Sequence, residues 1–165
     1  PFIFNMSIRK NLDFVNKDKK LQEEACKRVG IHDFIMTLPK KYDTVLIEDA
    51  KNVSGGQKQM ISIARTLLAD SEILLLDDIT TALDPDTALF IPHLIKDLKK
   101  DHTIVMITKK PDLMKCADRI IVLDNGKIVA DGTHAKLMRE NEIYQRLQFR
   151  RSPSKMGVFA ESEVE

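Results

Sequence analysis

An α/β fold with a parallel-sheet core behind a helical N-terminal segment is what this 165-residue sequence predicts, on three observations. Ile73-Leu74-Leu75-Leu76 is continuously apolar and ends in two carboxylates, and Thr103–Thr108 has the same character, as expected of strands buried on both faces of a parallel sheet. Between them Asp84 and Pro85 open a helical stretch, so the local order is strand, helix, strand. Upstream, to about Leu38, apolar residues recur at helical spacing. The length suits one ordinary domain, able to bury a core without staples or metals.

Along the chain, Asn16 or Asp18 is placed to cap a helix whose apolar residues are Leu21, Ala25 and Val29, with Gly30 placed to end it. A shorter helix through Phe34 and Ile35 must stop before Pro39. Residues 40–53 are polar and irregular, apart from a short extended piece at Val45-Leu46-Ile47. At Ser54 the pattern changes: a Ser-Gly-Gly start leads into Gln57–Ala69, where Met60, Ile61, Ala64, Leu67 and Leu68 form one apolar face. The helix after Asp84 reaches about Lys99, with Pro92 expected to kink it. Ile120–Leu123, Asn125-Gly126 and Lys127–Val129 read as a hairpin. Thr133 caps a following helix, Glu142–Arg150 forms another, and the tail from Arg151 frays.

Composition excludes several classes. The 26 basic and 25 acidic side chains nearly cancel to +1, so no polyanion-seeking excess points to nucleic acid. Cys26 and Cys116 stand far apart with no C-x-x-C pattern, which argues against a zinc site or a disulfide framework and suits a reducing setting. His32, His93, His102 and His134 read as surface residues. No apolar run approaches the roughly 20 residues that cross a bilayer. The sequence opens on Pro1-Phe2-Ile3-Phe4 with no initiating Met and no signal pattern, and reads as a piece of a longer chain.

The chemistry concentrates in Val53-Ser54-Gly55-Gly56-Gln57, then Ile73–Leu76 with Asp77-Asp78, then Thr81-Ala82-Leu83-Asp84. Two glycines at a helix start let backbone N–H groups approach an anion, where the helix dipole favours negative charge and the Ser hydroxyl adds a donor. A carboxylate at the C-terminal end of a buried strand is where an α/β sheet presents ligands, so Asp77 is a candidate for Mg²⁺, directly or through water.

In this order the motifs resemble the ATP-binding cassette (ABC) family, with Ser54–Gln57 in its signature, Ile73–Asp77 as the Walker B strand and Thr81–Asp84 as the D-loop. The resemblance covers nearly the whole chain and is closest to exporters: Pro1–Asn11 is similar to the segment just after the Q-loop, and Ala117–Thr133 to the segment after the switch loop. It implies the C-terminal part of an ABC-type P-loop NTPase domain. Residues 1–53 would be its helical subdomain, residues 54–150 the signature helix and C-terminal part of the α/β core, and residues 151–165 a flexible tail. It implies ATP and Mg²⁺ as cofactors, with Ser54, Gly55, Gly56, Gln57 and Asp84 facing nucleotide and Asp77 facing the metal. The implied partners are a second nucleotide-binding domain and the transmembrane domain of the same transporter, with no nucleic acid. The implied location is the cytoplasmic face of the cell membrane, the piece itself being soluble. Phe2 and Phe4 lie where exporters dock coupling helices, or else belong to the core of the helical subdomain.

Several positions depart from the family's pattern. No G-x-x-x-x-G-K-[ST] phosphate cradle occurs in the sequence, so this piece alone is expected to bind ATP weakly or not at all and to show no turnover. The residue after the Walker B aspartate, usually a glutamate acting on the attacking water, is Asp78. One fewer methylene shortens its reach by about 1.5 Å, and misplacement by about 1 Å costs ~100-fold in rate. Where the family carries a switch histidine this sequence has Lys109, a point charge without an acceptor nitrogen or else solvated surface. In the loop before the signature, Glu48 keeps an acidic position while Ile47 and Ala50 stand where glycines are usual.

With Asp78 and Lys109 altered in the catalytic position and Ser54–Gln57 intact, the resemblance implies the degenerate side of an asymmetric exporter, completing the partner's site. Two alternatives stay open from the sequence: a non-catalytic regulatory or interaction module that retains the fold, and a soluble ABC ATPase of chromosome or repair type. The latter would carry coiled-coil heptads and a basic DNA-facing surface, neither of which is in the sequence. Because the N-terminal strands that the resemblance implies would cover part of Ile73–Leu76 and Ile104–Ile107, exposed apolar surface is expected there in this piece.

Overall fold

The computed structural model describes residues 2–46 and 53–149. The chain divides into two compact units, Pro1–Thr108 and Lys109–Glu165. The helices expected to form a subdomain over 1–53 share the first unit with the helix that follows Ser54 and with the first sheet. Ile47, Glu48, Ala50 and the tail from Arg151 lie outside the described residues.

In the first unit, Ser7 caps α1 (Ile8–Asp13) by accepting from the Lys10 N–H at 3.2 Å. Asn11, fully buried in α1, clamps the preceding segment. Its Oδ1 accepts from the Phe4 N–H at 2.9 Å, and its Nδ2 lies 3.1 Å from the Phe4 carbonyl, 3.4 Å from that of Met6 and 3.1 Å from that of Ser7. Of the two expected caps, Asp18 opens α2 (Lys19–Arg28), accepting from the N–H groups of Lys20 and Leu21 at 2.8 and 3.3 Å, while Asn16 accepts from the Asp18 N–H. Gly30 comes next at φ +76°, the left-handed geometry its placement predicts.

Of the expected buried face of α2, Val29 is buried as predicted, but Leu21 and Ala25 give way to the next residue along. Leu21 is exposed, and the buried row is Gln22, Cys26 and Val29. Gln22 is tolerated inside because its amide is fully used: Oε1 accepts from Arg9 Nη1 at 3.0 Å, and Nε2 donates to Asp13 Oδ1 at 2.8 Å and to the Asn16 carbonyl at 2.7 Å. Helix α3 (His32–Thr37) ends ahead of Pro39, as predicted, and a 3₁₀ turn spans Lys41–Asp43. Val45 then pairs with Ser7 in an antiparallel bridge, which is the described part of the extended piece expected there.

Burial pushes the Cys26 thiol up from 9.0 to about 11, against a smaller opposing pull from its hydrogen bond with Tyr42. Because the folded value is raised, this contribution to stability is complete below the unfolded thiol's value and is lost as pH rises through the folded one. Urea midpoints should therefore fall between about pH 9 and 11, and Cys26→Ala should make that fall shallower.

Helix α4 (Gly55–Leu67) buries Met60, Ile61, Ala64 and its C-cap Leu68, as expected, together with Ile63, while the expected Leu67 is only half-buried; the helix packs on α1 and α2. Strands β1 (Ile73–Asp77) and β2 (Thr103–Ile107) pair in parallel with Leu75 opposite Val105. They are connected through α5 (Pro85–Leu98), which continues through Pro92. From the end of α2, Arg28 reaches Asp97 at 3.0 Å and Asp101 at 2.6 Å at the end of α5. The expectation that both strands are buried on both faces is corrected. Leu74 and Leu76 are buried, but Ile73, Leu75 (74% exposed), Val105 and Ile107 are open. Successive strand side chains point to opposite faces, and only one face is covered among the described residues. The exposed apolar surface expected on these strands is present.

The second unit begins with a short helix α6 (Pro111–Met114) that no sequence pattern announced. Strands β3 (Ile120–Asp124) and β4 (Lys127–Gly132) form the predicted hairpin, with Asn125 and Gly126 at φ +47° and +75° and a bulge at Val122/Leu123. Thr133 caps α7 (His134–Glu140) as predicted, and α8 (Glu142–Phe149) comes last. Met114, Val122, Leu137 and Tyr144 form this unit's core.

Candidate nucleotide-facing site

The start of α4 is closed by a reciprocal capping box. The Ser54 hydroxyl accepts from the Gln57 N–H at 3.2 Å, and the Ser54 N–H donates to Gln57 Oε1 at 2.8 Å. The first intrahelical bond runs from the Lys58 N–H to the Ser54 carbonyl, so the amides of Gly55 and Gly56 precede the helical ladder. The box also leaves donors. A hydroxyl that accepts still has its own O–H to give, and a Gln side chain that accepts through oxygen keeps both N–H bonds. Ser54 and Gly55 are exposed and Gln57 is half-buried. This end of α4 is a positive dipole end with spare donors, open to an incoming anion.

The two glycines differ. Gly55 has ordinary room: a Cβ there would lie 3.6 Å from the Ala82 carbonyl oxygen and 3.7 Å from its Cβ. Gly56 is buried, and a Cβ there would lie 3.3 Å from the Ala82 oxygen and 3.4 Å from both Cα and Cδ2 of Leu83. Ala82 and Leu83 therefore lie directly against Gly55 and Gly56, a contact between segments well separated in the chain that no local pattern announces. The Ser-x-x-Gln spacing, by contrast, is a readable capping signal.

Asp77 and Asp78 sit exposed at the C-terminal end of β1. Asp78 adopts φ +42°, a left-handed conformation that Asp tolerates better than most side chains. Its N–H donates to the Ile107 carbonyl at 3.0 Å, extending the ladder by one residue, and its carbonyl accepts from the Thr81 N–H at 3.4 Å. A second turn, from the Leu83 N–H to the Thr80 carbonyl at 3.2 Å, comes at once. Thr80 is buried, and its hydroxyl has no partner among the described residues. Asp84 is used structurally: Oδ1 accepts from the Thr87 N–H at 2.9 Å and Oδ2 from the Thr87 hydroxyl at 2.7 Å, capping α5. Lys109 is exposed and opens the second unit.

No cluster of three or more His, Cys, Asp or Glu residues suited to a metal occurs among the described residues. An exposed carboxylate such as Asp77 nevertheless fits Mg²⁺, which is held through one or two carboxylates together with phosphate oxygens and water. Neither Asp77 nor Asp78 forms an ion pair among the described residues. No helix among them is long and apolar enough to cross a membrane.

The first unit carries the family's mark. Residues 2–81 match the family model described as ABC transporter. The chain is 43% identical over 150 residues to the serine protease/ABC transporter B family protein tagD of Dictyostelium discoideum, an alignment covering 89% of this chain and 8% of that protein. It is 38% identical over 148 residues to the ATP-dependent lipid A-core flippase of Haemophilus influenzae, covering 88% of this chain and 25% of the relative. A solved bacterial Atm1-family ABC exporter with ATP bound superposes with a TM-score of 0.81 at 33% identity, covering 88% of this chain and 26% of that one. This chain thus spans about a quarter or less of each. With its signature-type helix start, parallel β1–β2 pair and exporter relatives, the chain belongs to the ABC transporter family and has the fold of the C-terminal part of its P-loop NTPase domain.

Proposed function

We propose that this chain supplies the signature motif of an ABC exporter to ATP held by a second nucleotide-binding domain, and that hydrolysis there drives transport through a transmembrane domain at the cytoplasmic face of a membrane. The observation that carries this reading is the open donor end of α4, where Ser54 and Gly55 are exposed while Gly56 is held from below by Ala82 and Leu83. Gly55 N–H, the Ser54 hydroxyl and the Gln57 amide present hydrogen-bond donors to phosphate oxygens, and Gly55 adds no side chain of its own. Asp77 is the carboxylate that would hold Mg²⁺ at this chain's own nucleotide, where the ion neutralises phosphate charge. Asp84, the last residue of the D-loop, acts by capping α5.

Asp78 and Lys109 make this half-site the weaker catalyst. A carboxylate one methylene short of the family's glutamate is misplaced for the attacking water, and an ammonium gives the γ-phosphate charge without imidazole's acceptor. In the assembled transporter Asp78→Asn should therefore leave more than about half of ATP turnover, well short of the ~100-fold loss expected of a positioned base. Asn shares the tolerance for left-handed backbone that this position needs, so the fold is kept. Near-complete loss of phosphate release would instead assign the chemistry to this half-site.

A further inference from the structure

We propose that Leu83 is a positioning residue for the signature: its side chain and backbone form the seat on which the first turn of α4 rests, fixing where the donors of Ser54 and Gly55 point. This rests on the reading that those donors face a partner's nucleotide.

The seat is held at both ends. The chain leaving β1 is pinned at Asp78 by the Ile107 carbonyl, turns at Asp78–Thr81 and again at Thr80–Leu83, and is then fixed by Asp84 at the start of α5. Between these fixed points Ala82 and Leu83 have little freedom. They meet the other side of the contact at Gly56, where a single added carbon would lie 3.3 Å from the Ala82 oxygen and 3.4 Å from two Leu83 atoms. Such spacing is a few tenths of an ångström too tight for a side chain at 56, and a shorter side chain at 83 widens the space beside the helix start, into which it can settle. Gly56 is thus a glycine because of its own chain's D-loop, whereas Gly55 faces outward. The donors that reach the anion hang from the same turn, so a shift of the turn by a fraction of an ångström is felt at the phosphate.

The test uses the full-length chain assembled with its partner. Leu83→Ala should lower kcat/KM for ATP about tenfold, chiefly through a higher KM, because donors moved off the nucleotide weaken closure around it. Leu83→Met, which conserves volume, should stay within about threefold of wild type. Gly56→Ala should be damaging alone, and on top of Leu83→Ala its effect should be smaller but not abolished, since truncation removes the Cδ2 contact at 3.4 Å while the Ala82 oxygen and Leu83 Cα stay in place. Thermal unfolding of each variant separates this pattern from simple loss of folded protein. The proposal is overturned if Leu83→Ala leaves KM within about twofold of wild type, or if the Gly56 and Leu83 effects multiply without coupling. If Gly55→Asp leaves turnover intact, the signature reading itself is wrong. If Gly55→Asp is damaging while the Leu83 cycle shows no coupling, only the seat is refuted.

Discussion

Replacing Gly55 by Asp should reduce ATP turnover of the assembled transporter by about 100-fold or more, the scale of losing preorganised donors to a charged group, while leaving the fold as stable as before. The two halves of that expectation have opposite electrostatic origins. Gly55 is the first residue of α4 and exposed, and a Cβ there meets nothing closer than 3.6 Å. A carboxylate in the first turn of a helix interacts favourably with the dipole, by about 0.3–1 kcal/mol. The same charge repels a triphosphate brought to that end. Unfolding midpoints that hold or rise while turnover collapses would separate anion recognition from structural damage. Gly56→Asp is a poorer probe, because its side chain must first displace Ala82 and Leu83. Unimpaired turnover in Gly55→Asp would remove the basis for placing nucleotide at this helix end.

The largest effect on stability is expected at Asn11. Asn11→Asp keeps size and shape but exchanges the amide nitrogen for oxygen. The lost donor sits within 3.1–3.4 Å of three carbonyl oxygens, those of Phe4, Met6 and Ser7. At neutral pH a buried carboxylate would face those oxygens, keeping only the bond from the Phe4 N–H. Leaving buried polar groups without partners costs about 1–3 kcal/mol, and more where charge is involved. The expected loss is about 3 kcal/mol at pH 7, measured as a lower urea midpoint and partly recovered at low pH as the carboxyl takes up a proton and regains a donor. Equal stability for Asn11→Asp and wild type at pH 7 would refute the clamp.

The elements legible in the sequence are those specified by their own neighbours. Ser54 with Gln57, Asp84 with Pro85 and Thr133 are caps whose partners lie within three residues, and each starts a helix where expected. Asn125-Gly126 supplies positive φ for a hairpin without outside help. What escaped the sequence depends on segments far apart. In α2, Gln22 is buried in place of the expected Leu21 because Arg9, Asp13 and Asn16 satisfy its amide, which periodicity scores as polar and therefore outside. Continuous apolar runs in β1 and β2 read as buried on both faces, yet that reading describes what a strand prefers, and in this chain one face stays open. Asp77 and Asp78 were legible as carboxylates closing a strand. The left-handed backbone of Asp78 and the fit of Leu83 under Gly56 were not, since each is set by where the chain turns next.

Both cysteines of this sequence are buried, and the Cys26 thiol is held in its protonated, unreactive form well above neutral pH. Neither native thiol stands exposed on the surface of this piece to a maleimide reagent. A single cysteine introduced at an exposed position such as Thr66 on α4 or Lys127 on the hairpin would accept a spin label or fluorophore without stripping the native thiols first. Distance measurements between such reporters would then test whether a second nucleotide-binding domain closes on this one as nucleotide is added, as proposed.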